Sequence, residues 1–210
     1  MKVGRFKDYR IDELLPFDSY MSMVGTKYDC LQVHDFSSSV PLKPLFLDDV
    51  MGGIKEYFNS RLLIYDHSLD GQLMAYDTIR LMRPHGEIRY SDPRPYYSVN
   101  TRLIVMKPLV GMQLKGVVKM RSALHCCAIV YNCVQASIYL PKKYSNLDLN
   151  LIPLESTVIF DVTEIKITNC TLCLYGRLCK KSIRKILSTQ VVGEDVNIYP
   201  PPKRSTSTMI

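Results

Sequence analysis

The stretch HCCAIVYNCVQASI, residues 125–138, gathers His125, Cys126, Cys127 and Cys133 into one short segment. Those residue types can do three kinds of chemistry: nucleophilic catalysis by a thiolate with an imidazole base, metal ligation, or thiol redox. Catalysis needs the sulfur and the ring within hydrogen-bond reach, and a third group to orient the base. Successive residues of a strand face opposite ways, so His125 and Cys127 share a face while Cys126 points away. No orienting carboxylate lies near them in sequence. Zinc is the stronger rival, because CTLC (170–173) is a CxxC with Cys179 six residues beyond. Structural zinc takes four Cys or His ligands in closing pairs, and this chain offers a single CxxC. An odd separation at the head of an alternating strand also sets the two sulfurs on opposite faces. Cysteine is among the residue types most often buried and behaves there as a small hydrophobe. The expectation is therefore a sulfur-rich β-hairpin in a packed barrel, with no catalytic residue, no metal and no cofactor.

The rest of the chain supplies no enzyme signature. It has no GxxxxGK[ST], no GxGxxG opening a helix after a strand, no HExxH and no GxSxG, and His34, His67, His85 and His125 are scattered. The first residues, MKVGRFKDYRIDELLPFDSY, are charged throughout and lack the apolar core of a secretory signal. The seven cysteines are accordingly expected as reduced thiols in cytosol or nucleus, and the NCT sequon at Asn169 as unused. Apolar runs such as LIVM and CCAIVYNCV are far shorter than the roughly 20 residues that cross a bilayer, so no membrane partner is expected.

Charge is divided unevenly. Residues 1–109 hold 14 Lys/Arg and 14 Asp/Glu, whereas residues 110–210 hold 13 and 6, so the whole net charge of +7 belongs to the second half. A basic module joined to a neutral one points to a phosphate backbone as partner, the bland alternative being a surface that merely aids solubility.

Periodicity separates two modules at the same place. Residues 1–40 carry little pattern, and SSSVPLKPLF (37–46) reads as an extended connector. Val50, Ile54, Tyr57, Phe58, Leu62 and Tyr65 recur at helical spacing behind Asp48 or Asp49 as N-cap. Gly52 and Gly53 in the first turns cost about 1 kcal/mol each relative to alanine, so they imply close approach of another backbone or a later helix start. Strands are predicted at 71–82, 87–90 and 98–107, with RPHGE and SDPRP as turns. From residue 108 onward only short strands follow, at 113–120, 126–132, 134–140, 156–168 and 171–178, then a helix at 179–187. Five short strands in about seventy residues fit a small Greek-key barrel of the oligonucleotide-binding kind. The fold class expected is α+β: a helix packed on an antiparallel sheet, followed by an all-β barrel. The divisions are an N-terminal extension (1–40), a helix-on-sheet domain (41–107), a barrel with terminal helix (108–190) and a C-terminal tail (191–210).

Basic residues flank the predicted barrel strands: Lys115, Lys119, Arg121, Lys142, Lys143 and Arg177, with Lys180, Lys181, Arg184 and Lys185 on the last helix. Tyr131, Tyr139 and Tyr175 lie among them. A cationic groove with aromatic platforms is how such barrels hold single-stranded nucleic acid, stacking contributing about 1–3 kcal/mol per base. The candidate interface is Lys115, Lys119, Arg121, Tyr131, Lys142, Lys143 and Arg177. Each tyrosine equally suits a core or rim position, and the last helix a solvated face or a nuclear-localisation patch.

With those residues in view, the segment KPLVGMQLKGVVKM (Pro108, Gly111, Leu114, Gly116, Val118), then a histidine, an apolar strand and Ala136-Ser137-Ile138, resembles the start of the barrel in polymerase stalk subunits. That family comprises the archaeal stalk protein and its counterparts in the nuclear RNA polymerases. Upstream, Tyr65, Leu69 and Gly71 leading into LMAYDTIRL (73–81) resemble the polymerase I branch. The resemblance covers roughly residues 40–178. It implies a non-catalytic subunit with a tip-associated N-terminal domain and an S1-like barrel, in nucleus and nucleolus. Its implied partners are polymerase I core subunits, a smaller stalk partner, the polymerase I initiation factor and emerging RNA. It implies core docking through the start of the 48–66 helix, with Gly52 and Gly53, and through the loop Arg83, Pro84, His85, Gly86. Relatives favour glycines where this chain has Cys126, Cys127 and Asn132. The alternatives that stay open are a free-standing S1-like RNA-binding protein and a stalk subunit of polymerase II or III.

Overall fold

Alternating burial along the strands of the second half builds a closed barrel beside a first, open sheet. The computed structural model describes residues 14–90, 92–122, 124–144, 149 and 152–184. A short helix α1 (Phe17–Met21) precedes strand β1 (Leu31–Pro41), a 3-10 turn at Pro44–Phe46 and helix α2 (Val50–Asn59). Strands β2 (Tyr65–Asp66), β3 (Gly71–Tyr76), β4 (Arg80–Leu81), β5 (Glu87–Arg89) and β6 (Asp92–Met106) complete a six-stranded antiparallel sheet of order β1-β6-β3-β2, with β4 and β5 also on β6. Strand β6 is the spine. It pairs with β1 from Leu31 opposite Met106 to Pro41 opposite Tyr96, and with β3, β4 and β5 along its other edge.

The stretch read as a connector is thus largely a strand. Its polar run HDFSSS hides the alternation, because β1 is an edge strand whose faces are mostly half-buried or exposed. The SDPRP turn is likewise the beginning of β6. Pro93 and Pro95 are tolerated there because proline, lacking a donor, sits at strand beginnings and edges, and the Pro95 carbonyl accepts from the Leu42 N–H at 2.9 Å. The single strand expected at 71–82 breaks into β3 and β4, the Asp77 N–H turning to the Arg102 carbonyl at 2.9 Å.

The second sheet closes on itself. Strands β7 (Gln113–Arg121), β8 (His125–Val130), β9 (Val134–Tyr139), β10 (Thr157–Thr168) and β11 (Thr171–Leu178) form a barrel of order β10-β11-β9-β8-β7, closed by β10 on β7. All pairs are antiparallel except β9 with β11. Its interior takes every second residue: Leu114 and Val118, Cys126, Ala128 and Val130, Val134, Ala136 and Ile138, Val158, Phe160 and Val162, Leu172 and Leu174. The chain is mostly β, and the barrel is compatible with the oligonucleotide-binding kind. Residues 180–184 are helical, and the Ser182 hydroxyl locks them to β10 by donating to the Ile159 carbonyl and accepting from its N–H. Lys185 and the tail 191–210 lie outside the described residues.

Helix α2 presents Ile54 and Phe58 to a buried cluster with Val40, Leu73, Val99, Leu103 and Val105. Asp49 caps it by accepting the Gly52 N–H at 2.9 Å, so the helix starts where the sequence placed it, but it ends at Asn59 rather than running to 66, and Tyr65 belongs to β2. The close approach at Gly53 is by side chains rather than another backbone: an added Cβ would stand 2.4 Å from Leu42 Cδ1 and 2.5 Å from Phe46 Cβ. At Gly52 it would meet only the Asp49 carboxylate, 2.1 Å away. Gly53→Ala gains about 1 kcal/mol of helix propensity but overpacks a rigid neighbour at a cost of about 1–3 kcal/mol, so it is expected to lower the urea midpoint. Gly52→Ala gains the same and loses at most the cap, about 0.5–2 kcal/mol, so its midpoint is expected to stay near wild type and above that of Gly53→Ala.

Candidate nucleic-acid interface

The histidine–cysteine stretch is the β8–β9 hairpin. Cys126 points into the barrel, fully buried, and burial pushes its thiol up to about 11. His125 and Cys127 share the outer face: His125 Nδ1 lies 3.2 Å from the Ser122 hydroxyl, and its ring packs 5.6 Å from that of Tyr139. All seven cysteines are free thiols, Cys170 alone being exposed. Cys170 sits in the β10–β11 turn and Cys173 on β11. No three His, Cys, Asp or Glu side chains cluster for a metal ion among the described residues.

The basic candidates occupy two parts of the barrel wall. Across β9, β11, β10 and β7 the register aligns Tyr139, Arg177, Asp161 and Gln113, and the Gln113 amide donates to Asp161 at 2.8 Å. Lys115 stands two residues along β7 from that row, exposed like Arg177. Lys119 and Arg121 lie toward the far end of β7, where Lys119 pairs with Glu155 at 2.8 Å and the Arg121 guanidinium donates to the Ile152 carbonyl. Lys143 is exposed in the 3-10 turn Lys142–Tyr144; the Lys142 side chain lies outside the described set. Lys115 and Arg177 are therefore brought to one face, whereas Lys119 is partly neutralised and Arg121 holds a loop.

Tyr131 has a different task. It lies in the β8–β9 turn with Asn132, both at positive φ, so its direction cannot be read by strand alternation. Its hydroxyl donates to Asp29 Oδ1 at 2.8 Å and accepts the Cys30 N–H at 3.1 Å. The Tyr20 hydroxyl donates to the Tyr131 carbonyl at 3.2 Å, the two rings meeting edge-on at 6.5 Å. Asp29 in turn accepts the N–H groups of Leu31 and Gly25, each at 2.7 Å. Segment 14–30 is thereby strapped across the barrel, and Tyr131 is its anchor. Burial holds both phenols well above their ordinary range, and it pushes the neighbouring Cys30 and Cys133 thiols up to about 12. The exposed aromatic face is instead Tyr139, at 42% exposure, which strand alternation in β9 places outward. A second joint forms where the Tyr65 N–H donates to the Cys170 carbonyl at 2.7 Å and the Leu172 N–H to buried Gln72 at 3.2 Å.

The docking candidates lie on the other sheet. Arg83, Pro84 and His85 are exposed in the β4–β5 loop, and Arg83 pairs with Glu87. Gly86 faces Pro95 and the Tyr97 ring. The close neighbours of Gly52 and Gly53 lie within the chain.

Fold and surface define a β-rich protein with a closed, basic-flanked barrel strapped to an antiparallel sheet. Comparison with known proteins narrows that class. The chain is 30% identical over 134 residues to DNA-directed RNA polymerase I subunit RPA43 of Danio rerio, a match covering 63% of this chain and 34% of that protein. It is 28% identical over 187 residues to the subunit of the same name from Mus musculus, covering 88% of this chain and 56% of the relative. The Schizosaccharomyces pombe subunit is 27% identical over 95 residues, 45% of this chain and 54% of its own length. The chain thus spans about a third to just over half of the relatives it matches. No family model matches it. The resemblance to RNA polymerase I stalk subunits is borne out by these relatives, which match much of the chain.

Two outcomes are expected of the joint. Tyr131→Phe leaves Asp29 and the Cys30 N–H without their shared partner, a loss of about 1–3 kcal/mol readable by urea unfolding. The raised thiols make a pH test. Below about pH 9, the ordinary thiol value, Cys30, Cys126 and Cys133 are protonated whether folded or not. Above it the unfolded chain releases protons that the folded chain keeps until about pH 11–12, so stability is expected to fall as pH rises through that window. In the native state a thiol reagent at pH 8 is expected to modify Cys170 rapidly and those three only on unfolding.

Proposed function

We propose that this chain is a non-catalytic stalk subunit of RNA polymerase I, acting in ribosomal RNA synthesis in the nucleus and nucleolus. The observation that carries the reading is similarity, at 27–30% identity, to polymerase I subunits from fish, mammals and fission yeast. In this reading residues 41–107, completed by the strand before them, are the tip-associated helix-on-sheet domain. It docks on the polymerase core through the start of α2, around Gly52 and Gly53, and through Arg83, Pro84, His85 and Gly86. Residues 108–190 are an S1-like barrel turned to emerging RNA, with Lys115, Lys119, Arg121, Lys142, Lys143 and Arg177 as its cations. Tyr139 offers the stacking face, since Tyr131 anchors the strap. The stalk also presents a surface to the initiation factor, beside a smaller stalk partner.

The test is affinity purification of the tagged chain from its own cells. Recovery of the large polymerase I subunits in near-equal amounts is expected. Recovery of another polymerase corrects the paralogue, and recovery of RNA alone makes the barrel a free-standing RNA-binding module. For the barrel itself, binding to a single-stranded RNA oligomer is expected to weaken with salt, with a log–log slope of about −0.7 per phosphate neutralised. Arg177→Ala with Lys143→Ala is expected to flatten that slope by about one to two contacts, while a salt-independent affinity refutes the electrostatic interface.

A further inference from the structure

The strap leaves a hollow between itself and the barrel wall. A cavity of about 530 Å³ lies there, with Met23, Lys27 and Tyr28 on the strap side and Lys115, Val117 and Ile129 on the barrel side. Val117 and Ile129 are opposite one another in the β7–β8 register and interrupt the polar outer face with an apolar floor. Lys27 and Lys115, 88 positions apart in sequence, bring two ammonium groups to its walls. No aspartate or glutamate lines it, and neither lysine has an ion-pair partner among the described residues. Asp29, which follows the lining residue Tyr28 in the chain, is engaged by Tyr131, Gly25 and Leu31.

An apolar floor beneath unpaired cations selects a ligand that is apolar and anionic at once. We propose that this cavity docks a peptide segment of a partner protein in which an aliphatic or aromatic side chain stands beside a carboxylate. The side chain fills the floor between Met23, Val117 and Ile129, and the carboxylate meets Lys27 and Lys115. A nucleotide fits less well, because one face of Tyr28 lies under an ammonium and the Tyr131 ring is packed edge-on against Tyr20. The Tyr131 hydroxyl is also engaged, and the Lys27 ammonium lies 5.9 Å over the centre of Tyr28. The volume lies within the range of about 300–1,000 Å³ typical of ligand pockets, room for one large side chain with its neighbours. The assignment is independent of which assembly the chain joins.

Fluorescence anisotropy on the full chain tests it with three labelled peptides, alternating phenylalanine with glutamate, phenylalanine with lysine, and glycine with glutamate. The phenylalanine–glutamate peptide is expected to bind about tenfold or more tighter than either other, equivalent to about 1.4 kcal/mol. The double variant Lys27→Glu with Lys115→Glu is expected to reverse the preference, favouring the phenylalanine–lysine peptide. Misfolding does not produce such a reversal, and an unchanged urea midpoint accompanies it. Equal binding of acidic and basic peptides overturns the proposal. So does a double variant that alters only oligouridylate binding, or peptide binding seen only after removal of residues 1–13, which makes the occupant the chain itself.

Discussion

One phenol ties the barrel to the segment that leads into the other sheet. Tyr131 comes off a hairpin turn whose backbone is left-handed at two successive non-glycine residues, an arrangement that costs free energy at each. The turn keeps that geometry because the hydroxyl it delivers engages both Asp29 and the Cys30 N–H, while the Tyr131 carbonyl accepts from Tyr20. A buried phenolic oxygen without partners is expensive, and so is a buried amide; here each satisfies the other. The bond lies where the barrel meets the strand leading into the other sheet. Cys30 and Leu31 belong to the same buried cluster as Met74, Ile104 and Met106 of the sheet and the barrel interior from Leu114 to Leu174. Barrel and sheet thus share a core, and swinging one against the other would expose that common surface.

That continuity explains what was legible in the sequence. Closed-barrel strands alternate strictly, because their inner faces are dry and their outer faces wet, and β7 to β11 are found within one or two residues of their expected positions. The sulfur-rich hairpin follows from the same rule, Cys126 facing in and His125 and Cys127 out. Strand β1 escapes because an edge strand lacks a contrast of faces: Ser37 to Ser39 neither demand nor refuse burial. Strand β6 escapes at its beginning because prolines read as turn. The strap escapes altogether, since its order comes from contacts with residues about 100 positions away and not from local pattern. Residue type alone groups Tyr131 with Tyr139; only the turn geometry separates an anchor from an exposed ring, while the alternation of β9 points Tyr139 outward.

The charge asymmetry reads differently once placed on the barrel. A surplus of cations in the second half suggests an unbroken basic groove, yet Lys119 faces Glu155 and Arg177 is aligned with Asp161. The exposed Lys119–Glu155 pair adds little to stability, about 0–1 kcal/mol, so the consequence of these carboxylates is for the surface potential: they divide it into patches. A divided surface presents its cations singly rather than as one continuous groove.

The cysteines close the same argument from the chemical side. A nucleophile or metal ligand must be a thiolate, which calls for a site that lowers the thiol pKa. Cys30, Cys126 and Cys133 stand in surroundings that do the opposite, since desolvation disfavours the charged form and raises all three. The contacts of the Cys30 and Cys133 sulfurs with the Tyr131 and Tyr20 hydroxyls pull the other way but do not overcome burial. Sulfur here does the work of a slightly large alanine. Interior neighbours such as Gly116, where an added Cβ would stand 3.1 Å from Ala128, show how little room the strands leave each other. The packing that keeps water from Cys126 is the packing that fills the centre between β7, β8 and β9.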